Sequence, residues 1–252
     1  MKTFYTEPKA SEREYQQLEK LGKKLGVPVP GCFLEMEVLM PDGEVVHRHK
    51  QRSHSWTRNM YNFLFTNIAS KDMSDTTFGA GLLSLQSDQP YVMHFTGLMY
   101  IAASNGYYLV PSDLDDVNGE NIGIRSGAGI DTTGILVGGG TDAEDFEGIA
   151  LSSKILNGNT SGKLAYQNHN LPVTTYDTPS KTMSVLHVRF MNNNSGADID
   201  VNETALMYGI VLVYPSVVMH VLFARDLLGA TVTVPNTGQL KVSYTINMVY
   251  PH

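Results

Sequence analysis

The strongest constraint on the fold lies between Gln239 and Tyr250, where every second residue is apolar and the residues between are mostly polar. Successive side chains of a β-strand point to opposite faces of its sheet, so this pattern predicts a strand with one buried face. The apolar set is Leu240, Val242, Tyr244, Ile246, Met248 and Tyr250. A chain with this ribbon needs further layers of structure to cover its apolar side.

Other segments carry the same kind of signal. Cys32 to Met40 and Glu44 to Arg52 flank the turn sequence Pro41-Asp42-Gly43, which predicts a β-hairpin. The remaining predicted strands are Met183 to Met191, Ala205 to Val213, Val217 to Phe223 and Thr231 to Val234. We therefore predict an all-β fold, an antiparallel β-sandwich of jelly-roll type over residues 31–252, with two short helices in the N-terminal quarter.

The first helix belongs to a predicted arm, residues 1–30. Ser11 and Glu14 have the spacing of a capping box, and Gly26 and Pro28 end the helical pattern. Its apolar stripe is the candidate assembly surface: Tyr15, Leu18, Leu21 and Leu25. Two interpretations stay open at this point, a helix that packs on its own domain and an arm that docks on a neighbouring subunit.

The second helix is predicted to follow a cap at Ser53 or Ser55. Its apolar residues recur at helical spacing, at Trp56, Met60, Phe63, Leu64 and Ile68. Trp56 is the only tryptophan, and we interpret it as a core anchor rather than a sugar platform.

Charge is unevenly distributed, and the net charge of the chain is −7. Residues 1–60 carry 10 Lys and Arg against 8 Asp and Glu, whereas the remainder carries 8 against 17. An acidic body disfavours nucleic acid as the main partner. With Cys32 as the one cysteine, no intrachain disulfide can form. We also expect no secretory signal and no membrane span, and hence a chain that is made and kept in a reducing cytosol or assembled there into something larger.

The acidic residues concentrate in a predicted loop-rich insertion around residues 111–150. Within it, Asp113, Asp115 and Asn118 suggest a calcium loop, although the spacing fails the EF-hand pattern. A calcium-binding loop and a solvated acidic turn both remain open, and we predict no resident metal or other cofactor.

No motif predicts catalysis. The glycines at 138–140 precede acidic residues that would repel phosphate, and residues 158–164 lack the hydroxyl that a P-loop needs. His47 and His49 share one face of a strand and could be part of a metal site, but a solvated basic edge strand is the favoured interpretation. We predict a protein that is not an enzyme. A hydrolase would require a cleft that holds a histidine and a carboxylate within hydrogen-bonding distance.

Two stretches resemble virion proteins of tailed bacteriophages. The first comprises Val137 to Phe146 with Leu151, Ile155 and Gly162 to Tyr166. The second is similar to the closing strands of those proteins and comprises Val201 to Glu203, Leu222 to Asp226, Val232 to Pro235 and Leu240 to Ile246. The resemblance covers roughly residues 135–250. It implies a structural component of the head, neck or tail, located in the virion, with copies of itself and other virion proteins as partners. It supplies no catalytic residue, and the helical N-terminus departs from it.

The alternative hypothesis is a carbohydrate-binding β-sandwich module for host attachment. Such a module needs exposed aromatic side chains near an acidic loop. The candidates in the sequence are Tyr91, Tyr107 and Tyr108.

Overall fold

The structure is a computed structural model that describes residues 2–7, 9–69, 85–86, 88, 92–93, 123–213 and 216–250. Strands dominate these residues and lie in open sheets, so the fold is broadly all-β, whereas a jelly-roll sandwich is not confirmed. The elements in chain order are β1 (Thr3–Thr6), α1 (Lys9–Leu25), β2 (Val29–Leu39), β3 (Val45–Arg52), α2 (Arg58–Ala69), β4 (Leu85–Gln86), β5 (Val92–Met93), β6 (Gly134–Gly138), β7 (Ala165–His169), β8 (Val173–Asp177), β9 (Thr182–Asn192), β10 (Ile199–Val213), β11 (Ser216–Val234) and β12 (Gln239–Val249).

The chain forms two compact units. Unit 1 comprises residues 1–54, 155–202 and 228–252, and unit 2 comprises residues 55–154 and 203–227. The N-terminal segment with β1 and α1 belongs to unit 1.

Unit 1 is built on a seven-stranded sheet with the order β1-β3-β2-β12-β9-β7, in which β8 also pairs with β9. The terminal strand β12 lies in its centre and pairs antiparallel with β2 on one side and β9 on the other over its whole length. The predicted hairpin is confirmed, since β2 and β3 pair antiparallel around the turn at residues 40–44.

One face of this sheet is buried, as the alternation in β12 predicts. Leu240, Val242 and Tyr244 are fully buried, and further along the strand Ile246 is only partly buried. The apolar residues opposite them on β2 are Val38, Met36 and Leu34, and these are equally buried. Each such side chain contributes about 1.5–3 kcal/mol to folding, so these two central strands hold the unit together.

The same buried face carries polar side chains nearer the edges of the sheet. His47 and His49 lie opposite Val38 and Met36, and Arg189 lies opposite Val242. The interpretation of β3 as a solvated edge strand is therefore wrong. Because β1 pairs parallel with β3, it covers that edge, and both histidines are buried.

Unit 2 contains β6, which pairs antiparallel with residues 203–207 of β10, and α2. The helix packs on the strands through Phe63, whose ring lies 5.2 Å from Tyr208 and 5.1 Å from Phe223. Neither Ser53 nor Ser55 precedes the helix directly, contrary to prediction. Instead, Trp56 forms a β-bridge with Ala224, and the helix begins two residues later.

Two further predictions are corrected by the structure. The runs Val217 to Phe223 and Thr231 to Val234 are parts of one strand, β11, rather than two. Helix α1 begins at Lys9, so Ser11 lies inside the helix rather than at its N-cap.

Candidate assembly surfaces

Helix α1 is attached to unit 1 by charged groups rather than by its leucines. Arg52, at the end of β3, is only 5% exposed. Its Nε and Nη2 donate to the Glu12 carboxylate at 2.8 and 2.9 Å, and its Nη1 donates to Glu19 at 3.0 Å. The guanidinium lies 4.5 Å from the ring centre of Tyr15 and 4.6 Å from that of Phe33. A planar guanidinium suits this arrangement, since it can donate in two directions while it stacks on rings.

The electrostatics agree with this geometry. The hydrogen bond from Arg52 holds the pKa of Glu12 below its ordinary value, and the same bond raises the pKa of Arg52. The side chain of Glu12 is partly exposed, so water screens part of this interaction. Glu7 adds an anchor at the start of the arm, because its carboxylate accepts the backbone N–H of Arg52 at 2.7 Å.

The predicted leucine stripe is left uncovered. Leu18, Leu21 and Leu25 are 51%, 51% and 64% exposed, whereas Tyr15 is partly buried. At about 100° per residue, the leucine stripe points roughly 120° away from the face that contacts Arg52. The four predicted assembly residues are thus divided between two faces: Tyr15 helps to attach the helix, and the three leucines face solvent.

Unit 2 contains a feature that the sequence analysis missed, the buried carboxylate of Glu203. This side chain lies on β10 with no exposed surface. It accepts backbone N–H groups from Gly140 at 3.2 Å, Ser152 at 3.1 Å and Ser153 at 2.7 Å. Its fourth partner is Arg225 on β11, whose Nε lies 2.6 Å from the carboxylate.

The glycines before the acidic loop make this approach possible. A Cβ atom at Gly140 would lie 2.7 Å from the Cβ atom of Ser152, and one at Gly138 would lie 2.6 Å from the carbonyl oxygen of Ser153. Both would also overlap the Glu203 side chain. The absence of side chains at Gly138 and Gly140 therefore leaves room for the buried carboxylate of Glu203.

Arg225 extends the network into the loop, where its Nη1 and Nη2 donate to the carbonyl oxygens of Ala143 and Asp142, each at 2.9 Å. The backbone N–H of Leu227 donates to Glu144 at 2.9 Å. Arg225 thus holds this loop from a position in the interior of β11.

The loop held in this way, residues 141–149, is termed the acidic loop. It carries four carboxylates and no lysine or arginine: Asp142, Glu144, Asp145 and Glu147. Two large apolar side chains lie among them, Phe146 at 50% exposure and Ile149 at 36%. Phe146 contacts the ring of Tyr61 at 5.8 Å, and the guanidinium of Arg58, which pairs with Glu147, lies 5.9 Å from the centre of the Phe146 ring.

The remaining predictions concern metal, catalytic and sugar-binding sites. Among the described residues, no group of three or more His, Cys, Asp or Glu side chains is arranged to hold a metal ion. Asp88 and His220, a carboxylate and a histidine, have oxygen and nitrogen atoms 3.6 Å apart, which exceeds hydrogen-bonding distance. The calcium candidates Asp113, Asp115 and Asn118 and the sugar-binding candidates Tyr91, Tyr107 and Tyr108 lie outside the described residues.

A shallow groove lies between the end of α1 and the ends of β2 and β12. It encloses about 50 Å³, which accommodates little more than one water molecule. Its lining comprises Glu19, Lys23, Val27, Val29, Val249 and Tyr250. This volume is far below that of a pocket for a sugar or another small organic ligand.

Within the described part of the chain, neither helix has the length and apolar character needed to cross a bilayer. Comparison with known proteins supplies no family: no protein-family model, no curated protein and no solved structure matches the chain.

Proposed function

We propose that this chain is a non-enzymatic structural protein of a phage virion that assembles with copies of itself and with neighbouring head, neck or tail proteins. The observation that carries the proposal is the uncovered leucine face of α1. Three leucines that are each at least half exposed on one helix face are unusual for a monomer, because large exposed apolar patches generally mark interaction sites. The resemblance of residues 135–250 to phage virion proteins supplies the context.

The way the helix is attached supports the same proposal. Arg52 holds its polar side, so the leucines are presented on an ordered helix rather than on a disordered tail. A preorganised surface loses less conformational entropy when it binds. The partners in this proposal are proteins, not nucleic acid or a membrane, and the location is the virion, after assembly in the host cytoplasm.

For the complete architecture we propose an antiparallel β-sandwich of jelly-roll type. The seven-stranded sheet of unit 1 has one strongly apolar face, and such a face requires a second layer to exclude water. Virion subunits are built readily from such sandwiches, since the fold presents loops at both ends.

Light scattering on the purified full-length chain tests the proposal. We expect a discrete oligomer, such as a trimer or a closed ring, that persists on dilution and is visible by negative-stain electron microscopy. Peptides of the chain should also be found by mass spectrometry in purified particles of a phage that encodes it. A strict monomer at high protein concentration, together with absence from the particles, would contradict the proposal.

A further inference from the structure

We infer that the leucine face of α1 in one copy docks on the acidic loop of a second copy. This inference rests on the proposed assembly function and specifies the surfaces that perform it. Both surfaces belong to the same chain, and each is an exposed apolar patch flanked by charges of one predominant sign.

The arm contributes an apolar surface with basic flanks. Arg13, Lys20 and Lys24 are exposed and lie beside the leucines, on the side of the helix away from Arg52. The acidic residues Glu12 and Glu19 face the other way and are already bound to Arg52. The surface that remains for a partner carries the three leucines with Glu14 among them and the basic row along one side, so it is apolar with an excess of positive charge.

The acidic loop is the matching surface. Phe146 and Ile149 provide exposed apolar area, and the four carboxylates around them provide negative charge, which Arg58 reduces by pairing with Glu147. The loop backbone is held by Glu203 and Arg225, so little ordering is needed on binding. Complementary charge around an apolar centre favours one partner and one orientation.

The two surfaces differ, so the contact between copies is head-to-tail. Such an interface closes into a ring when the rotation between neighbours permits, and otherwise extends as a filament. Each copy would use its arm to bind one neighbour and its acidic loop to bind another, as each subunit of a ring does.

Two variants, each defective in one surface, test the docking. The arm variant carries Leu21→Ser and Leu25→Ser, and the loop variant carries Asp145→Lys and Phe146→Ser. Alone, each should weaken association about tenfold or more and yield mainly monomers in light scattering. Mixed in equal amounts, they should form a one-to-one heterodimer, because one intact arm and one intact loop remain.

Leu171→Ser is the matched control, since Leu171 is 65% exposed but belongs to neither surface. It should leave the oligomer unchanged. Circular dichroism and thermal unfolding of all variants verify that monomers are folded. An unfolded loop variant would be replaced by Asp145→Lys alone, which changes an exposed side chain and removes the hydrogen bond that it accepts from the backbone N–H of Glu147.

The outcomes separate the docking from the function on which it rests. If the wild-type chain forms oligomers but the loop variant also does, or if the two monomeric variants do not combine, the docking is wrong while the assembly function stands. If the wild-type chain is monomeric, both fail.

Discussion

At the scale of single residues, the buried ion pair between Glu203 and Arg225 accounts for the ordered acidic loop. A carboxylate without solvent contact costs several kcal/mol unless its oxygens are fully hydrogen-bonded. Here three backbone N–H groups and one guanidinium satisfy it. The ion pair therefore serves mainly to fix residues 139–153 to the strands, and it adds little net stability.

Replacing Glu203 with Gln should destabilise the protein by roughly 3–5 kcal/mol, because Arg225 is left buried without a counter-charge. The amide also presents N–H groups to backbone donors that need an acceptor. Urea unfolding followed by tryptophan fluorescence measures the loss, since Trp56 lies in the same unit.

Glu44→Gln is the matched control for this prediction, as Glu44 forms an exposed ion pair with Lys2. Exposed pairs contribute at most about 1 kcal/mol, so the control should unfold close to the wild type. Equal stability of the two variants would contradict the role assigned to Glu203.

Sequence reasoning did not identify the pair of Glu203 and Arg225. Glu203 can be found only once the pairing of β10 with β6 is known, because this pairing places Glu203 opposite Gly138. Pairing between distant segments cannot be read from local sequence. The signal that was present is the glycine run, which was tested for phosphate but not for a carboxylate from the chain itself.

At the scale of elements, α1 is held to the sheet by one side chain with several partners. Arg52→Lys keeps the charge but loses the planar, two-directional donation to Glu12 and Glu19 and the stacking on Tyr15. We expect the helix to open more readily while the sheet stays folded. Hydrogen exchange of the amides in residues 9–25 should accelerate on the order of tenfold, as expected for a loss of about 1.4 kcal/mol.

Arg48→Lys is the control, because Arg48 lies on the same face of β3 but pairs with Glu37 in an exposed position. It should leave exchange in residues 9–25 unchanged. If Arg52→Lys also leaves the exchange of the helix unchanged, then other contacts hold the arm.

Elements with strong local signals were predicted well, and those defined by distant contacts were not. The alternation in β12 and the turn between β2 and β3 are encoded within a dozen residues each, and both are confirmed. Strand β11 was divided in two because Arg225-Asp226 interrupts its apolar run. Arg225 is tolerated inside a strand because Glu203 and the acidic loop supply its partners, which local patterns do not reveal.

At the scale of the whole molecule, the buried face of the large sheet predicts a dependence of stability on pH. His47, His49 and His187 lie on this face, and burial lowers the pKa of each below the ordinary 6.5. His49 also stacks on Tyr5 at 4.5 Å and lies 2.7 Å from the side-chain oxygen of Gln51. The folded protein therefore keeps these rings neutral, whereas the unfolded chain binds protons as the pH falls below about 6.5.

Acid should consequently reduce the free energy of unfolding, by at most about 1.4 kcal/mol per pH unit for each such histidine. Glu12 and Glu37, whose pKa values are lowered by hydrogen bonds from Arg52 and Lys241, contribute losses only below their ordinary 4.5. Between about pH 6.5 and about pH 5, the loss of folding free energy is therefore due to protonation of the histidines. Urea unfolding across this interval, at protein concentrations too low for assembly, measures the effect.

His49→Gln should flatten this pH dependence, since glutamine does not titrate and its amide can donate to Gln51. His54→Gln is the control at an exposed position and should leave this pH dependence unchanged. The test compares how steeply the free energy of unfolding changes with pH, rather than its absolute value. A general weakening of the sheet by either substitution therefore does not affect the conclusion. A slope for His49→Gln equal to that of the wild type would show that protonation of the buried face does not govern acid unfolding.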